Sequence, residues 1–168
     1  MIFVTVGTHE QQFNRLVEYI DVWASKNDEE VIIQFGFSTY VPKFCASKQF
    51  FSYNDMNENV KRARIIITHG GPSSFIMPLQ YGKVPIVVPR RFDFDEHVNN
   101  HQVDFCNAVA ERQGNIIVVT NIDDLGTIIE KYDSIVESLT NRLVSNNERF
   151  CSEFSKLVDG LTSNSINR

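Results

Sequence analysis

A short loop of histidine, glycine and serine near the middle of the chain has the residue types needed for anion binding. It reads T-H-G-G-P-S-S over residues 68–74, between a run of isoleucines and a segment of helical character. Glycine lets a ligand approach the backbone closely, and a helix start presents unpaired N–H groups and a positive dipole end. With His69 as a further donor, the loop can bind a phosphate. It can equally be a tight turn in which Ser73 caps the helix, and local chemistry leaves both interpretations open.

A second glycine-containing loop follows the first apolar run of the chain, where Gly7 precedes Thr8 and His9. In parallel sheets ligands bind beyond the carboxyl ends of the strands, so loops that follow different strands can share one ligand. The Gly7–Thr8 loop can therefore complete the phosphate site from a second side. The alternative is that Thr8 caps a helix beginning near Gln11.

The segment 90–102 is dense in groups that hydrogen-bond hydroxyls, since it reads R-R-F-D-F-D-E-H-V-N-N-H-Q. Carboxylates and amides can each satisfy two sugar hydroxyls. Arg90 and Arg91 follow a predicted strand, where they can meet a phosphate or a partner chain. A solvated loop explains the two aspartates better, whereas His101 and Gln102 fall inside a predicted helix.

A third candidate region, F-F-S-Y at residues 50–53, offers an aromatic wall and backbone groups for a nucleotide base. For Phe50 a place in the hydrophobic core is the better interpretation. No G-x-G-x-x-G or G-K-[S/T] motif occurs, so neither a dinucleotide fingerprint nor a P-loop is predicted.

Composition excludes several classes of function. The chain has 168 residues, a hydrophobic content of 42% and a net charge of −5, which fits one globular domain and argues against nucleic acid as the partner. Its three cysteines, Cys45, Cys106 and Cys151, are far apart and are predicted to be reduced thiols. His97 and His101 lie four residues apart but lack further ligands, so no metal site is expected.

Neither a leader peptide nor a membrane span is expected. The opening M-I-F-V-T-V lacks a positively charged leader and a cleavage site, and no apolar run approaches the roughly 18 residues that a span needs. We therefore expect a cytoplasmic protein, which another component must hold at a membrane if it works there.

Strand-like and helix-like segments alternate along the chain, which predicts an α/β fold with a parallel sheet covered by helices on both faces. Apolar runs predict strands at 2–6, 31–35, 50–53, 65–68, 84–88 and 116–119. Helices are predicted around 13–20, to residue 63 after a cap at Asn54 or Asp55, and at 73–81, 97–112, 122–131 and 134–161. Residues 162–168 are expected to form a frayed tail.

Residues 65–105 resemble the donor-binding C-terminal domain of GT-B glycosyltransferases of the family 28 type. The resemblance rests on I-I-I-T-H-G-G-P-S-S-F, Y-G-K-V-P-I-V-V-P-R-R and E-H-V-N-N-H-Q-V, and the opening V-T-V-G-T-H-E extends it over essentially the whole chain. Single-domain subunits of bacterial capsular and exopolysaccharide glycosyltransferases share this pattern. They are similar to the catalytic subunit of the eukaryotic two-chain transferase that adds the second N-acetylglucosamine to a dolichol-linked acceptor. The resemblance implies a Rossmann-like fold in which residues 1–161 bind a nucleotide sugar.

The resemblance also implies roles for particular residues. His69 is implied as catalytic, and the donor diphosphate is implied to contact Gly7, Thr8, Gly70, Gly71, Ser73 and Ser74. The base and ribose are implied to lie at Phe51, Ser52 and Tyr53, and the donor sugar at Glu96, Asn99, His101 and Gln102. No metal or cofactor is implied, because the loop amides, the helix dipole and His69 can stabilise the leaving diphosphate of the UDP-sugar.

Met77 departs from the pattern of the family. Many relatives carry an acidic residue eight positions after the loop histidine, where it binds the ribose hydroxyls. Met77 occupies that position here, so another group holds the ribose, donor binding is weaker, or the site is arranged differently.

A full GT-B enzyme has a second domain that binds the acceptor, for which 168 residues leave no room. The resemblance therefore implies a membrane-anchored partner subunit, which binds a lipid-linked saccharide acceptor and recruits this chain to the inner face of the membrane. Three functions stay open. The chain is a catalytic subunit that moves a hexose in polysaccharide synthesis, a non-catalytic enhancer of a partner transferase, or a flavodoxin-like or other nucleotide-binding domain unrelated to sugar transfer.

Overall fold

Six parallel strands form the centre of the molecule in the computed structural model, which describes residues 1–139. The strands are β1 (Ile2–Thr5), β2 (Val31–Gln34), β3 (Ala46–Lys48), β4 (Ile65–His69), β5 (Ile86–Val88) and β6 (Ile117–Val118). Their order in the sheet is β3-β2-β1-β4-β5-β6, so the direction of winding changes between β1 and β4. In sheets of this kind, ligands bind at the carboxyl ends of the strands beside such a change.

Helices connect the strands and cover both faces of the sheet. They are α1 (Asn14–Ala24), α2 (Tyr53–Arg62), α3 (Pro72–Gln80), α4 (His101–Gln113), α5 (Leu125–Glu130) and α6 (Tyr132–Leu139), with 3₁₀ turns at Phe92–Phe94 and Ile122–Asp124. No helix within residues 1–139 is long and apolar enough to cross a membrane.

The strands read as continuous apolar runs because both of their faces are buried. Ile2 and Val4 of β1 pack in the larger core cluster with Leu16 of α1. Phe3, between them, points to the opposite face and packs with Val60 of α2. This is the alternation that a strand imposes, and in a sheet covered on both sides it leaves no polar face to break the run. The predicted parallel sheet with helices on both faces is confirmed.

The predicted third strand at 50–53 is wrong. The third strand is β3, whose three residues are all exposed at the edge of the sheet. An edge strand of this kind has no apolar run, so hydrophobic patterning cannot find it. Tyr53 instead begins α2, because the Ser52 side chain caps the helix by accepting a hydrogen bond from the Asp55 amide at 3.2 Å.

Three other helix starts differ from prediction. Helix α3 is capped by Gly71 rather than Ser73, since Pro72 occupies its first turn. Helix α1 begins at Asn14 rather than near Gln11, and α4 begins at His101 rather than at residue 97. The predicted helix at 134–161 is described only as far as α6, and the predicted tail at 162–168 lies outside the described residues.

Cys45 and Cys106 are free thiols, as predicted. Burial raises the pKa of the Cys106 thiol to about 11. Burial and the nearby Asp21 carboxylate raise that of Cys45 to about 12. Both thiols are therefore protonated at neutral pH and are poor nucleophiles.

Candidate functional site

A cavity of about 440 Å³ opens beside the carboxyl ends of β1, β2 and β4, where the direction of winding changes. Its polar end is lined by Gly7, Thr8, His69, Ser73 and Ser74. Its apolar end is lined by Phe51, Met56, Val60, Ile66 and Met77, which also pack together in one hydrophobic cluster. The sheet thus brings the two predicted glycine loops and the predicted aromatic segment to one cavity.

The imidazole of His69 is held in one tautomer at the polar end. Its Nδ1 accepts a hydrogen bond from the Gly71 amide at 3.0 Å, so the ring proton lies on Nε2. Nε2 is 2.7 Å from Ser74 Oγ and therefore donates to that oxygen. The hydroxyl proton of Ser74 is then free to be donated to a ligand at the start of α3.

The His69 ring lies in a narrow slot between two glycines. A Cβ atom on Gly7 would lie 2.3 Å from Nε2 of the ring, and one on Gly71 would lie 2.3 Å from Cε1. Gly7 also has a φ of 76°, in the left-handed region that favours glycine. Gly70 packs against the next helix, since its Cβ would lie 2.9 Å from both Cys106 Sγ and Gln102 Oε1. Gly7 and Gly71 thus leave the space that the His69 ring occupies, and the contact of all three glycines with a diphosphate remains a prediction.

The buried ring of His69 is neutral. Burial, together with the positive charge of Arg90 and the neighbouring His9 and His97, lowers the pKa of His69 to about 3. The residue therefore enters the site as a hydrogen-bond donor that orients Ser74, and it contributes no positive charge at neutral pH.

Arg90 places a positive charge behind the glycine loops. Its side chain is 0% exposed, and its guanidinium donates to backbone carbonyls of Val6, Gln11, Gln12 and Glu96 at 2.8–3.2 Å. Burial lowers the pKa of Arg90 to about 10, which leaves the group charged at neutral pH. The expectation that Arg90 meets a phosphate or a partner directly is therefore wrong, because the side chain has no exposed surface and both terminal nitrogens of its guanidinium donate to backbone carbonyls of the protein. Arg91 pairs with Asp93 at 2.8 Å.

Glu96 is also internal, contrary to its implied contact with the donor sugar. Its side chain is 0% exposed and accepts two hydrogen bonds from the Arg15 guanidinium, both at 2.9 Å. Its Oε2 accepts a third from the Arg91 amide at 3.0 Å. Glu96 therefore links the segment after β5 to α1, and because it has no exposed surface it is not available to bind sugar hydroxyls.

The other three residues implied at the donor sugar lie outside the cavity wall. Gln102 is buried, and its Oε1 accepts from the Arg90 amide at 3.1 Å. Asn99 and His101 are exposed and hydrogen-bonded to each other. The His101 ring lies 4.5 Å from that of His97 between centroids, yet within residues 1–139 no group of histidine, cysteine or acidic residues could hold a metal ion. The role of these residues at a donor sugar stays a prediction.

Gln34, at the end of β2, is a residue that sequence reasoning missed. Its Nε2 donates to Thr5 Oγ1 at 3.1 Å, and its Oε1 accepts from the Phe51 amide at 3.0 Å. It thereby ties the aromatic segment to the end of β1. The sequence did contain a signal for it, because Gln34 is a polar residue at the carboxyl end of an apolar strand, where ligands bind in parallel sheets. Tyr53 lines the cavity and is 75% exposed, whereas Ser52 serves as the cap of α2.

The fold and this cavity define a Rossmann-like α/β domain with a pocket at the carboxyl ends of its strands, and the sequence match identifies the family. Residues 1–158 match the glycosyltransferase family 28 C-terminal domain, so the chain belongs to that family. The predicted family resemblance is confirmed. Membership argues against the flavodoxin-like alternative.

Two curated relatives carry the name UDP-N-acetylglucosamine transferase subunit ALG13. The protein of Mus musculus is 28% identical over 129 residues, which cover 70% of this chain and 10% of the relative. The protein of Homo sapiens is 28% identical over 130 residues, which cover 71% of this chain and 11% of the relative. The match thus spans about a tenth of the length of these relatives.

Solved glycosyltransferases share the fold at low sequence identity. The glycosyltransferase of kitacinnamycin has a TM-score of 0.59 and 16% identity, over 84% of this chain and 38% of the other. CalG4, the calicheamicin glycosyltransferase, has a TM-score of 0.59 and 14% identity, over 95% of this chain and 43% of the other. The likeness confirms the Rossmann-like architecture expected for one half of a GT-B fold.

Proposed function

We propose that this chain is the donor-binding, catalytic subunit of a two-component glycosyltransferase. It moves a hexose from a UDP-sugar to a lipid-linked acceptor in capsular or exopolysaccharide synthesis. The observation that carries the proposal is the polar end of the cavity, where Ser74 and the start of α3 face a space large enough for a nucleotide.

In the proposed reaction, an acceptor hydroxyl attacks the anomeric carbon of the donor while the bond from that carbon to the diphosphate oxygen breaks. Negative charge then develops on the leaving UDP. The Ser74 hydroxyl, the positive end of the α3 dipole and the buried charge of Arg90 stabilise that charge, which is the role of a preorganised electrostatic site. Because these groups belong to the protein, we expect transfer to persist in EDTA.

His69 acts in this proposal as a neutral residue. It donates to Ser74 Oγ and accepts from the Gly71 amide, so it aligns the hydroxyl that faces the leaving group. The base that takes the proton of the acceptor hydroxyl is assigned to the partner, because the partner is proposed to bind the acceptor.

The partner is proposed to be a membrane-anchored subunit that binds the lipid-linked acceptor. The mammalian relatives are named as subunits, which supports an activity shared between chains. The partner would hold this chain at the cytoplasmic face of the membrane. The donor-binding site would then lie beside the lipid carrier.

Calorimetric titration of the full chain with UDP tests the donor site, with ADP as the matched control. We expect saturable 1:1 binding of UDP and weaker binding of ADP, since the purine requires more space than the pyrimidine. Absence of UDP binding both by the chain alone and by the reconstituted pair would remove the basis of the proposal.

The alternative is a non-catalytic enhancer of a partner transferase. His69→Ala in the reconstituted pair separates the two functions, because only a catalytic donor site depends on the oriented Ser74 hydroxyl. Circular dichroism of the variant is recorded in parallel, since the ring is buried between two glycines. Undiminished transfer by a folded variant would favour the enhancer.

A further inference from the structure

We infer that this site binds the ribose of its donor without a carboxylate contact, so that the 2′-hydroxyl adds little to affinity. The inference rests on the proposed binding of a nucleoside diphosphate and concerns the apolar end of the cavity. It assigns Met77 as the residue because of which the site does not distinguish a ribose from a 2′-deoxyribose.

Helix α3 fixes where the ribose lies relative to the diphosphate. Ser73 and Met77 are four residues apart, so they share one face of α3 and are separated by about 6 Å along its axis. Both line the cavity. A ribose joined to a phosphate at Ser73 and Ser74 therefore lies beside the Met77 thioether.

The wall around that position is uncharged. Met77 packs in the same cluster as Phe51, Met56 and Ile66, and each of these lines the cavity. A thioether sulfur is only a weak hydrogen-bond acceptor. Among the described residues that form the cavity wall, none is an aspartate or a glutamate.

Two polar side chains of the neighbouring elements make hydrogen bonds or an ion pair within the protein. The Gln34 side chain donates a hydrogen bond from Nε2 to Thr5 Oγ1 and accepts one at Oε1 from the Phe51 amide. The acidic side chain of the first turn of α2, Asp55, pairs with Lys48 at 3.8 Å on the surface. Gln34 is thus a neutral acceptor whose amide oxygen already has one partner, and the Asp55 carboxylate is not part of the cavity wall.

The absence of this contact has a measurable consequence. A hydrogen bond from a hydroxyl to a charged acceptor changes affinity by about tenfold to 150-fold when the hydroxyl is deleted. A site that surrounds the ribose with apolar side chains loses far less. We expect the affinities for UDP and 2′-deoxy-UDP to agree within about threefold.

The experiment is calorimetric titration of the full chain with UDP and with 2′-deoxy-UDP at pH 8. A ratio of dissociation constants below about threefold supports the inference, and a larger ratio in favour of UDP overturns it. If neither nucleotide binds to the chain or to the reconstituted pair, the proposed function itself fails. Binding of both nucleotides with similar affinity is therefore distinguishable from the absence of a donor site, in which case neither nucleotide binds.

Two variants test the assignment to Met77. Met77→Glu should create the missing acceptor and raise the preference for UDP to about tenfold or more, whereas Met77→Leu should leave the ratio unchanged. A folded Met77→Glu protein that binds UDP without gaining selectivity would overturn the assignment. If Met77→Glu fails to fold, the ratio measured for the unaltered chain still decides the inference.

Discussion

The two ends of the cavity are built by different means. At the polar end, the His69 ring lies between Gly7 and Gly71 so closely that one added carbon atom on either would overlap it. At the apolar end, the flexible side chains of Met56 and Met77 are half-buried in a cluster of other apolar groups. Backbone geometry determines the first arrangement and side-chain volume the second. Small changes should therefore be costly at the polar end and tolerated at the apolar end.

Gly7→Ala should have the largest effect. Its Cβ would lie 2.3 Å from the His69 ring, so the ring or the loop must shift, at a cost of about 1–3 kcal/mol beyond the strain of the positive φ. UDP affinity should fall by at least about tenfold with the loss of Ser74 alignment. The control is Gly82→Ala, which has a similar positive φ but nothing within 4 Å. If the two variants unfold at the same urea concentration and bind UDP equally, the close packing of the His69 ring against Gly7 is contradicted.

The pH dependence of stability should report the buried ring of His69. The unfolded chain gains a proton on this histidine near pH 6.5, which the folded chain does not bind until about pH 3. The free energy of unfolding should therefore fall by about 1.4 kcal/mol for each unit that the pH is lowered between 6.5 and 3. Above pH 6.5 this histidine should cost no stability. Urea unfolding at pH 7 and pH 5 measures the change. His69→Gln should show a smaller slope, and an identical slope would argue against a depressed pKa.

Ser74→Ala should weaken UDP binding and lower the free energy of unfolding by about 1–3 kcal/mol, because it leaves the buried Nε2–H of His69 without its acceptor. The residue is at the exposed start of α3, and its hydroxyl is proposed to contact the diphosphate. Loss of one hydrogen bond to a charged group should reduce affinity by about tenfold or more. Calorimetry gives the affinity, and a melting curve confirms the fold. Retention of full affinity would place the diphosphate elsewhere.

Met56→Leu should have the smallest effect. The side chain is half-buried in the apolar cluster, and leucine is similar in volume to methionine. Such an exchange usually costs less than about 1.5 kcal/mol, and UDP affinity should stay within about threefold. A loss of UDP affinity as large as that expected for Ser74→Ala would show that the two ends of the cavity are equally sensitive to substitution.

The fold was largely predictable because the strands are buried on both faces. Continuous apolar runs marked β1, β2, β4, β5 and β6, and strand–helix alternation predicted the parallel sheet. The exception was β3, whose exposed residues lack any such run. The candidate site was predictable to the level of loops, since carboxyl ends of parallel strands meet at one edge.

The sequence by itself determined the family, the parallel sheet and the meeting of the two glycine loops at one edge. These follow from local patterns and from a topological rule that needs no contact information. Only the tertiary structure decided that His69 is neutral and that Arg90 and Glu96 are internal. Glu96 pairs with Arg15, 81 positions away along the chain, and the slot for His69 joins two separate loops. Burial and charge at these residues come from neighbours that are distant in sequence, which local patterns do not record.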